Sequence, residues 1–141
     1  MDEFLSLGLL LNRASVSIAK SLNSRLLKQG IDLPHSQFIV LRCLHYRNEI
    51  SQREIAKLLF KDAAAIKRTI DNLEKKGLII REQERLQKNC IHISDKGREI
   101  LPKVLSIAET VTKEAIEDID ADQYEQLRSM LNTIYQNTEL K

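Results

Sequence analysis

The stretch Ser51–Ser94 reads SQREIAKLLFKDAAAIKRTIDNLEKKGLIIREQERLQKNCIHIS, and its punctuation decides the fold. Ser51 stands three residues before Glu54, the spacing of a capping box, in which hydroxyl and carboxylate accept from each other's backbone N–H groups. Ile55, Leu58 and Leu59 then give a short helix its apolar side. Asp62 opens a second helical run with the stripe Ile66, Ile70 and Leu73. Gly77 follows as the residue that a left-handed helix stop favours. Leu78-Ile79-Ile80 and Cys90-Ile91-His92-Ile93 are rich in β-branched residues, while Arg81 to Asn89 is polar except for Leu86. Two short helices, a Gly stop and a hairpin make a winged helix-turn-helix, which presents a rigid helix end and a wing on one face, as the grooves of duplex DNA require.

Outward from this segment the chain reads as helix. From Phe4 to Leu27 apolar residues crowd a continuous run that Gly30 stops. From Arg98 to Ile119, Leu101, Leu105, Ala108, Val111, Ala115 and Ile119 recur at steps of three and four, and Pro102 is expected to bend or tighten the first turns. Asp120 with Gln123 is a capping pair for a last helix with the stripe Tyr124, Leu127, Leu131, Ile134. The expected fold is mainly α with a small β-hairpin wing. One domain spans 1–141, with an N-terminal dimerisation helix at 1–30, a winged helix-turn-helix lobe at 31–98 and C-terminal dimerisation helices at 99–141. The terminal helices carry more apolar surface than one small subunit covers, which predicts a homodimer core; a monomer that buries them internally is the other reading.

With 141 residues, 43% hydrophobic, four Gly and two Pro, the chain has the size and composition of one compact domain. No apolar run approaches the ~20 residues that span a bilayer, and the start lacks a basic flank before an apolar signal core; a cytoplasmic protein with no membrane partner is expected. Net charge is +2, yet residues 51–98 hold 12 Lys or Arg against 7 Asp or Glu, and residues 99–141 hold 4 against 9. A basic centre with an acidic tail puts one part against phosphates and another against solvent or a second subunit; solvated surface charge is the bland alternative. Cys43 and Cys90 lack CxxC spacing and His35, His45 and His92 are dispersed, so neither a zinc site nor a disulfide framework is indicated, and no cofactor is expected. Cys43, among Val40, Leu41 and Leu44, reads as an inert core thiol. No phosphate loop, GxSxG or HExxH occurs, so the chain is not read as an enzyme.

The motifs resemble those of the multiple-antibiotic-resistance regulator (MarR) family of bacterial transcription regulators nearly end to end. Leu33-Pro34-His35-Ser36-Gln37-Phe38 with Leu41 resembles the family's L-T-x-x-Q-(aromatic)-x-x-L, with Pro34 for Thr. Ser51-Gln52-Arg53-Glu54-Ile55-Ala56 resembles S-Q-x-E-L-A. Asp62 to Gly77 follows the D-x-x-x-(aliphatic)-x-R-x-(aliphatic)-D-x-L-E-x-K-G recognition helix, Leu78 to Arg81 the first wing strand, and Ser94-x-x-Gly97 the opening of the long fifth helix. The resemblance implies a homodimer that binds an inverted repeat in double-stranded DNA, represses transcription, and is released by a small aromatic effector. The wing departs from the family, whose Asp-x-Arg places an Arg in the minor groove. Arg85, Leu86 and Gln87 stand there instead, so that role does not pass to Gln87, and Arg85 or Lys88 is its candidate replacement.

DNA contacts are expected from positions off the buried stripe of the Asp62–Lys76 helix. Ala63, Ala64 and Ala65 let backbone approach bases or phosphates, or an alanine meet a thymine methyl; equally, they are strong helix formers. Lys67 and Arg68 are the main candidates, Arg68 matching the family's Arg and suited to bidentate contact with guanine. Thr69, Asn72 and Lys76 are candidates for backbone or more distant base contacts. Ser51 and Gln52 sit where a helix N-terminus binds phosphate, and Arg53, Arg81, Arg85 and Lys88 are phosphate candidates. A winged helix that binds protein without specific DNA recognition remains the alternative function.

Overall fold

The computed structural model describes residues 3–47, 49–83 and 89–139. Its order is α1 (Leu7–Lys28), α2 (His35–Tyr46), α3 (Gln52–Leu58), α4 (Ala63–Lys75), β1 (Ile79–Gln83), β2 (Asn89–Ile93), α5 (Asp95–Ala115) and α6 (Ala121–Thr138). The fold is mainly α with one antiparallel hairpin, as the sequence predicts. Arg85 and Lys88 lie outside the described residues, as do Leu86 and Gln87 of the wing.

Each helix start has a local chemical cause. Ser51 and Glu54 form the reciprocal capping box of α3, and Asp120 with Gln123 forms that of α6. The Asp62 carboxylate accepts from the Ala65 N–H at 2.7 Å, and the Ser94 hydroxyl from the Gly97 N–H at 3.0 Å. Pro34 opens α2 with no side-chain cap, since a pyrrolidine ring has no acceptor. At the other ends, α1 and α4 stop on left-handed glycines, Gly30 at φ 74° and Gly77 at φ 76°. Around Gly77 the Leu78 N–H reaches Leu73 O and the Gly77 N–H reaches Glu74 O, a Schellman closure that satisfies the helix's last carbonyls. The turn between α3 and α4 closes the same way on Phe60, which takes φ 50° although it has a Cβ.

Several expectations about extent are corrected. The wing strands run longer than their β-branched stretches, through Arg81–Gln83 and from Asn89, because backbone pairing from Ile79↔Ile93 to Gln83↔Asn89 does not require apolar side chains. A further bridge joins Ile50 to Ile91. Leu58 is 51% exposed, whereas Ile55 and Ala56 supply the buried side of α3. Helix α5 ends at Ala115, and Asp118 at φ 69° turns the chain, so Ile119 lies beyond the helix whose stripe it was read as extending. Val104 enters the core of α5, with Leu105 only partly buried. Pro102, exposed, is contained within α5 without ending it.

The core sits in the lobe. Leu33, Val40, Leu41, Leu44, Ile55, Ile70, Leu73 and Ile91 are fully buried there, and Leu26 of α1 and Val104 of α5 close its base. Helix α1 buries only Leu22 and Leu26 along 22 residues, and α6 buries none. Arg25 of α1 is ion-paired with Glu114 of α5. Val16, Ile18, Leu127, Met130, Leu131 and Tyr135 are left facing outward.

At the root of the wing, Gly97 in the first turn of α5 meets the chain leaving α4. A Cβ there would overlap the Leu78 carbonyl oxygen and come within 2.6 Å of Ile93 Cγ2. Backbone cannot yield as a side chain can, so Gly97→Ala is expected to lower stability by about 1–3 kcal/mol. Gly8→Ala, where a Cβ meets nothing within 4 Å, is expected to be neutral or slightly stabilising. Urea unfolding midpoints at one protein concentration compare the two, and equal midpoints would show that α5 does not need this close approach.

Candidate nucleic-acid interface

Helix α4 sits on its lobe through Ile66, Ile70 and Leu73, all buried. At 3.6 residues per turn, the position diametrically opposite that stripe is Arg68. Ala64, Asn72 and Lys75 lie beside it along the same outer face. All four are exposed, and their side chains enter no hydrogen bond or ion pair among the described residues. Lys67 is exposed on one flank. Thr69, half-buried on the other, donates its hydroxyl to Ala65 O at 3.1 Å. Ala63 is exposed and Ala65 half-buried at the helix entrance, where the Asp62 cap occupies the Ala65 N–H.

The two flanks of α4 are tied down by different cations. On the Lys67 side, Arg81 of β1 reaches across to Asp71 at 2.5 Å, with Glu74 Oε2 3.8 Å from its Nε. That Nε is buried without a hydrogen-bond acceptor, so the Glu74 charge is what compensates it. Arg81, a phosphate candidate from the sequence, binds the first wing strand to α4 through its guanidinium. On the Thr69 side, Lys76 donates to Asp32 O at 2.8 Å and to Gln37 Oε1 at 2.6 Å.

At α3, Ser51 is consumed by its own box: its hydroxyl accepts from the Glu54 N–H and donates to Glu54 Oε1 at 2.9 Å. Gln52 is half-buried at the first position of α3, and Arg53 is exposed beside it. The structure thus brings Gln52 and Arg53 into one lobe with the Ala64–Arg68–Asn72 face, while Ser51, Lys76 and Arg81 each bond to other groups of the protein. Lys75 was missed by sequence reasoning, although counting seven residues from Arg68 would have found it. Asp71 and Glu74 were also missed as partners for Arg81, and their i, i+3 spacing on α4 was the available signal.

Burial pushes the Cys43 thiol up, partly offset by the nearby Arg47, which suits a core thiol and not a reactive one. Burial, aided by the charge of Lys61, pushes His35 down. No cluster of three His, Cys, Asp or Glu side chains able to hold a metal occurs among the described residues. No helix among them is long and apolar enough to cross a membrane.

Two helices at right spacing, a stripe-bound second helix and a hairpin fastened to it define a winged-helix protein. Residues 33–85 match the model of the MarR family. An uncharacterised helix-turn-helix transcriptional regulator of Bacillus subtilis strain 168, YkoM, is 30% identical over 98 residues, covering 68% of this chain and 64% of that protein. The chain thus spans less than two thirds of that relative's length. Among solved structures, the transcriptional repressor CouR bound to a 23-mer DNA duplex is 27% identical with a TM-score of 0.81, covering 92% of each chain. A probable transcriptional regulator from Pseudomonas aeruginosa is 26% identical with a TM-score of 0.78, covering 92% of this chain and 96% of its own. Residues 33–85 thus resemble the MarR-family domain, on a fold shared with solved MarR-family regulators.

The hydrogen bond from Arg81, with the charges of Arg81, Lys67 and Lys75, holds the Asp71 carboxyl below its ordinary 3.8. A carboxylate depressed in the folded state adds stability that is present above its ordinary pKa and is lost as pH falls through the lowered one. Asp71→Asn is therefore expected to be less stable than the parent near neutrality, the gap closing on acidification below the ordinary aspartate value. Unfolding midpoints across that range test this, and a gap independent of pH would remove the charge from the argument.

Proposed function

We propose that the chain is a sequence-specific DNA-binding transcription regulator that represses as a homodimer on an inverted-repeat operator. The observation that carries this is the outer face of α4. Arg68, Ala64, Asn72 and Lys75 enter no hydrogen bond or ion pair there among the described residues, on a helix fixed along both flanks, which is what base readout in a major groove needs. Arg68 is assigned to a base edge, Asn72 and Lys67 to base or backbone, and Lys75 to phosphate. Ala63 to Ala65 allow close approach, and Gln52 and Arg53 hold the adjacent phosphates. The DNA complex of CouR, a protein of the same fold and 27% identity, supports the reading.

The dimer is proposed to form through α1, α5 and α6, leaving 31–98 as the DNA-binding lobe between two dimerisation segments. Val16 and Ile18 on α1 and Leu127, Met130 and Leu131 on α6 are the apolar surface it would cover. Sedimentation at micromolar concentration should give twice the chain mass of 16.2 kDa. Leu127→Glu with Leu131→Glu should return it to one chain mass. A monomer for the unaltered protein would refute this arrangement.

An effector site is proposed in the open cavity of about 520 Å³ between α2, β2 and α5, lined by His45, Glu49, His92, Arg98, Leu101 and Leu105 among others. Apolar walls with two imidazoles, a guanidinium and the Glu49 carboxylate suit a small aromatic molecule bearing a hydroxyl group. Since the cavity lies between the lobe and α5, a ligand there favours one lobe angle over another, and a preference of ~2–3 kcal/mol is enough to matter.

Selection of bound sequences from a random duplex pool tests the main proposal. The expected product is an inverted repeat with half-sites about one turn, ~10 bp, apart. On that duplex Arg68→Ala should cost about 1–3 kcal/mol of specific binding while leaving the dimer intact. Equal loss on random duplex would make Arg68 a phosphate contact, and no enriched sequence with the wild-type protein would favour a winged helix that binds protein.

A further inference from the structure

Lys76 closes α4 as its C-cap, and both ends of the residue are held. Its ammonium donates to Asp32 O at 2.8 Å and Gln37 Oε1 at 2.6 Å, with Asp32 Oδ2 at 3.5 Å. Two of the three N–H donors of the ammonium are thus taken by oxygens of the protein, and the Asp32 carboxylate stands within ion-pair range. The Lys76 carbonyl meanwhile accepts from Lys96 Nζ at 2.8 Å. Asp32 belongs to the linker that follows the Gly30 stop of α1, Gln37 is a buried residue of α2, and Lys96 lies in the first turn of α5. One residue therefore joins the end of α4 to the segment leaving α1 and to the start of α5. These contacts fasten α4 to both routes by which the lobe connects to the terminal helices.

We infer that Lys76 is a positioning residue that fixes the angle of α4 against the terminal helices and does not itself touch DNA. The inference rests on the DNA-binding reading above. In a two-fold dimer that angle sets the distance between the two α4 helices, and hence which half-site spacing the protein accepts. The Asp32 and Gln37 oxygens hold two of its three donors and turn the ammonium toward the protein. Gln37 is the other half of the device: as a buried amide it would lack this partner without Lys76.

The test compares the wild type with Lys76→Met, which keeps the stem and removes the charge, with Gln37→Met, and with the double variant. Binding is measured by anisotropy on the selected duplex and on duplexes whose half-sites are one base pair closer or farther apart, over a salt series. For Lys76→Met, affinity for the selected spacing should fall about tenfold, within the range of site-to-site coupling. Its preference over the altered spacings should collapse, with an unchanged dependence on salt. Gln37→Met should behave alike, and the double variant should be no worse than either, as partners in one interaction require. A salt slope reduced by ~0.9, the signature of one lost phosphate contact, with spacing preference kept, would overturn the inference. So would losses that add in the double variant. Should Lys76→Met lose its cooperative unfolding transition, Gln37→Met, which retains the ammonium, carries the spacing test. A wild-type protein that selects no duplex overturns the DNA-binding reading and this role with it. A wild type that selects one, with variants that keep its spacing preference, overturns the role alone.

Discussion

Three chain segments converge where α4 ends, and glycine serves there in two ways, as a left-handed turn and as a point of close backbone approach. Gly77 takes the left-handed turn that releases the chain from α4 into β1. Gly97 lets the first turn of α5 lie directly on the Leu78 carbonyl. Ser94 stitches the two: its hydroxyl donates to Gly77 O at 2.5 Å and accepts from the Gly97 N–H, and its own N–H reaches Leu78 O at 3.0 Å. Helix end, both wing strands and the long fifth helix thus share one hydrogen-bonded knot. The lobe's other features depend on it, because the knot decides where the wing roots relative to α4.

From that root the roles of the basic residues separate. Seen in sequence, Lys67, Arg68, Lys75, Lys76 and Arg81 form one basic run. In space, two of them face inward on opposite flanks and hold the helix, Arg81 through Asp71 and Glu74, Lys76 through Asp32 and Gln37. The others stay unpaired among the described residues. Exposed charge alone contributes little to stability, so it is the half-buried pair, not the outward ones, that shapes the lobe. The surplus of +5 across residues 51–98 overstates the cationic groups available to a ligand.

What was legible in the sequence was what local chemistry decides. Ser51 with Glu54, Asp62, Gly77 and Asp120 with Gln123 act within a turn of their own position, and each did what its spacing predicts. The stripe Ile66–Ile70–Leu73 was legible for the same reason. What was not legible depends on partners distant in sequence. Lys76 and Gln37 are 39 residues apart, and Arg81 finds Asp71 across a strand–helix boundary. Nothing in the composition around Lys76 or Arg81 distinguishes a cation that will be spent internally from one left outward. Nor does periodicity reveal that Phe60 would occupy a left-handed position usually filled by glycine.

Helix α6 has 18 residues and buries none of them within its own subunit. A helix of that length alone is near the margin of stability in water, and the edge of the Tyr135 ring on Phe60 is a slender attachment to the lobe. If a second copy covers Leu127 and Leu131, as proposed, the lobe's stability is a property of one chain, while that of α6 follows the concentration of the copies. On that proposal the abundance of the chain becomes a structural variable. It would set how much of the population has its last helix formed before any ligand or operator is met.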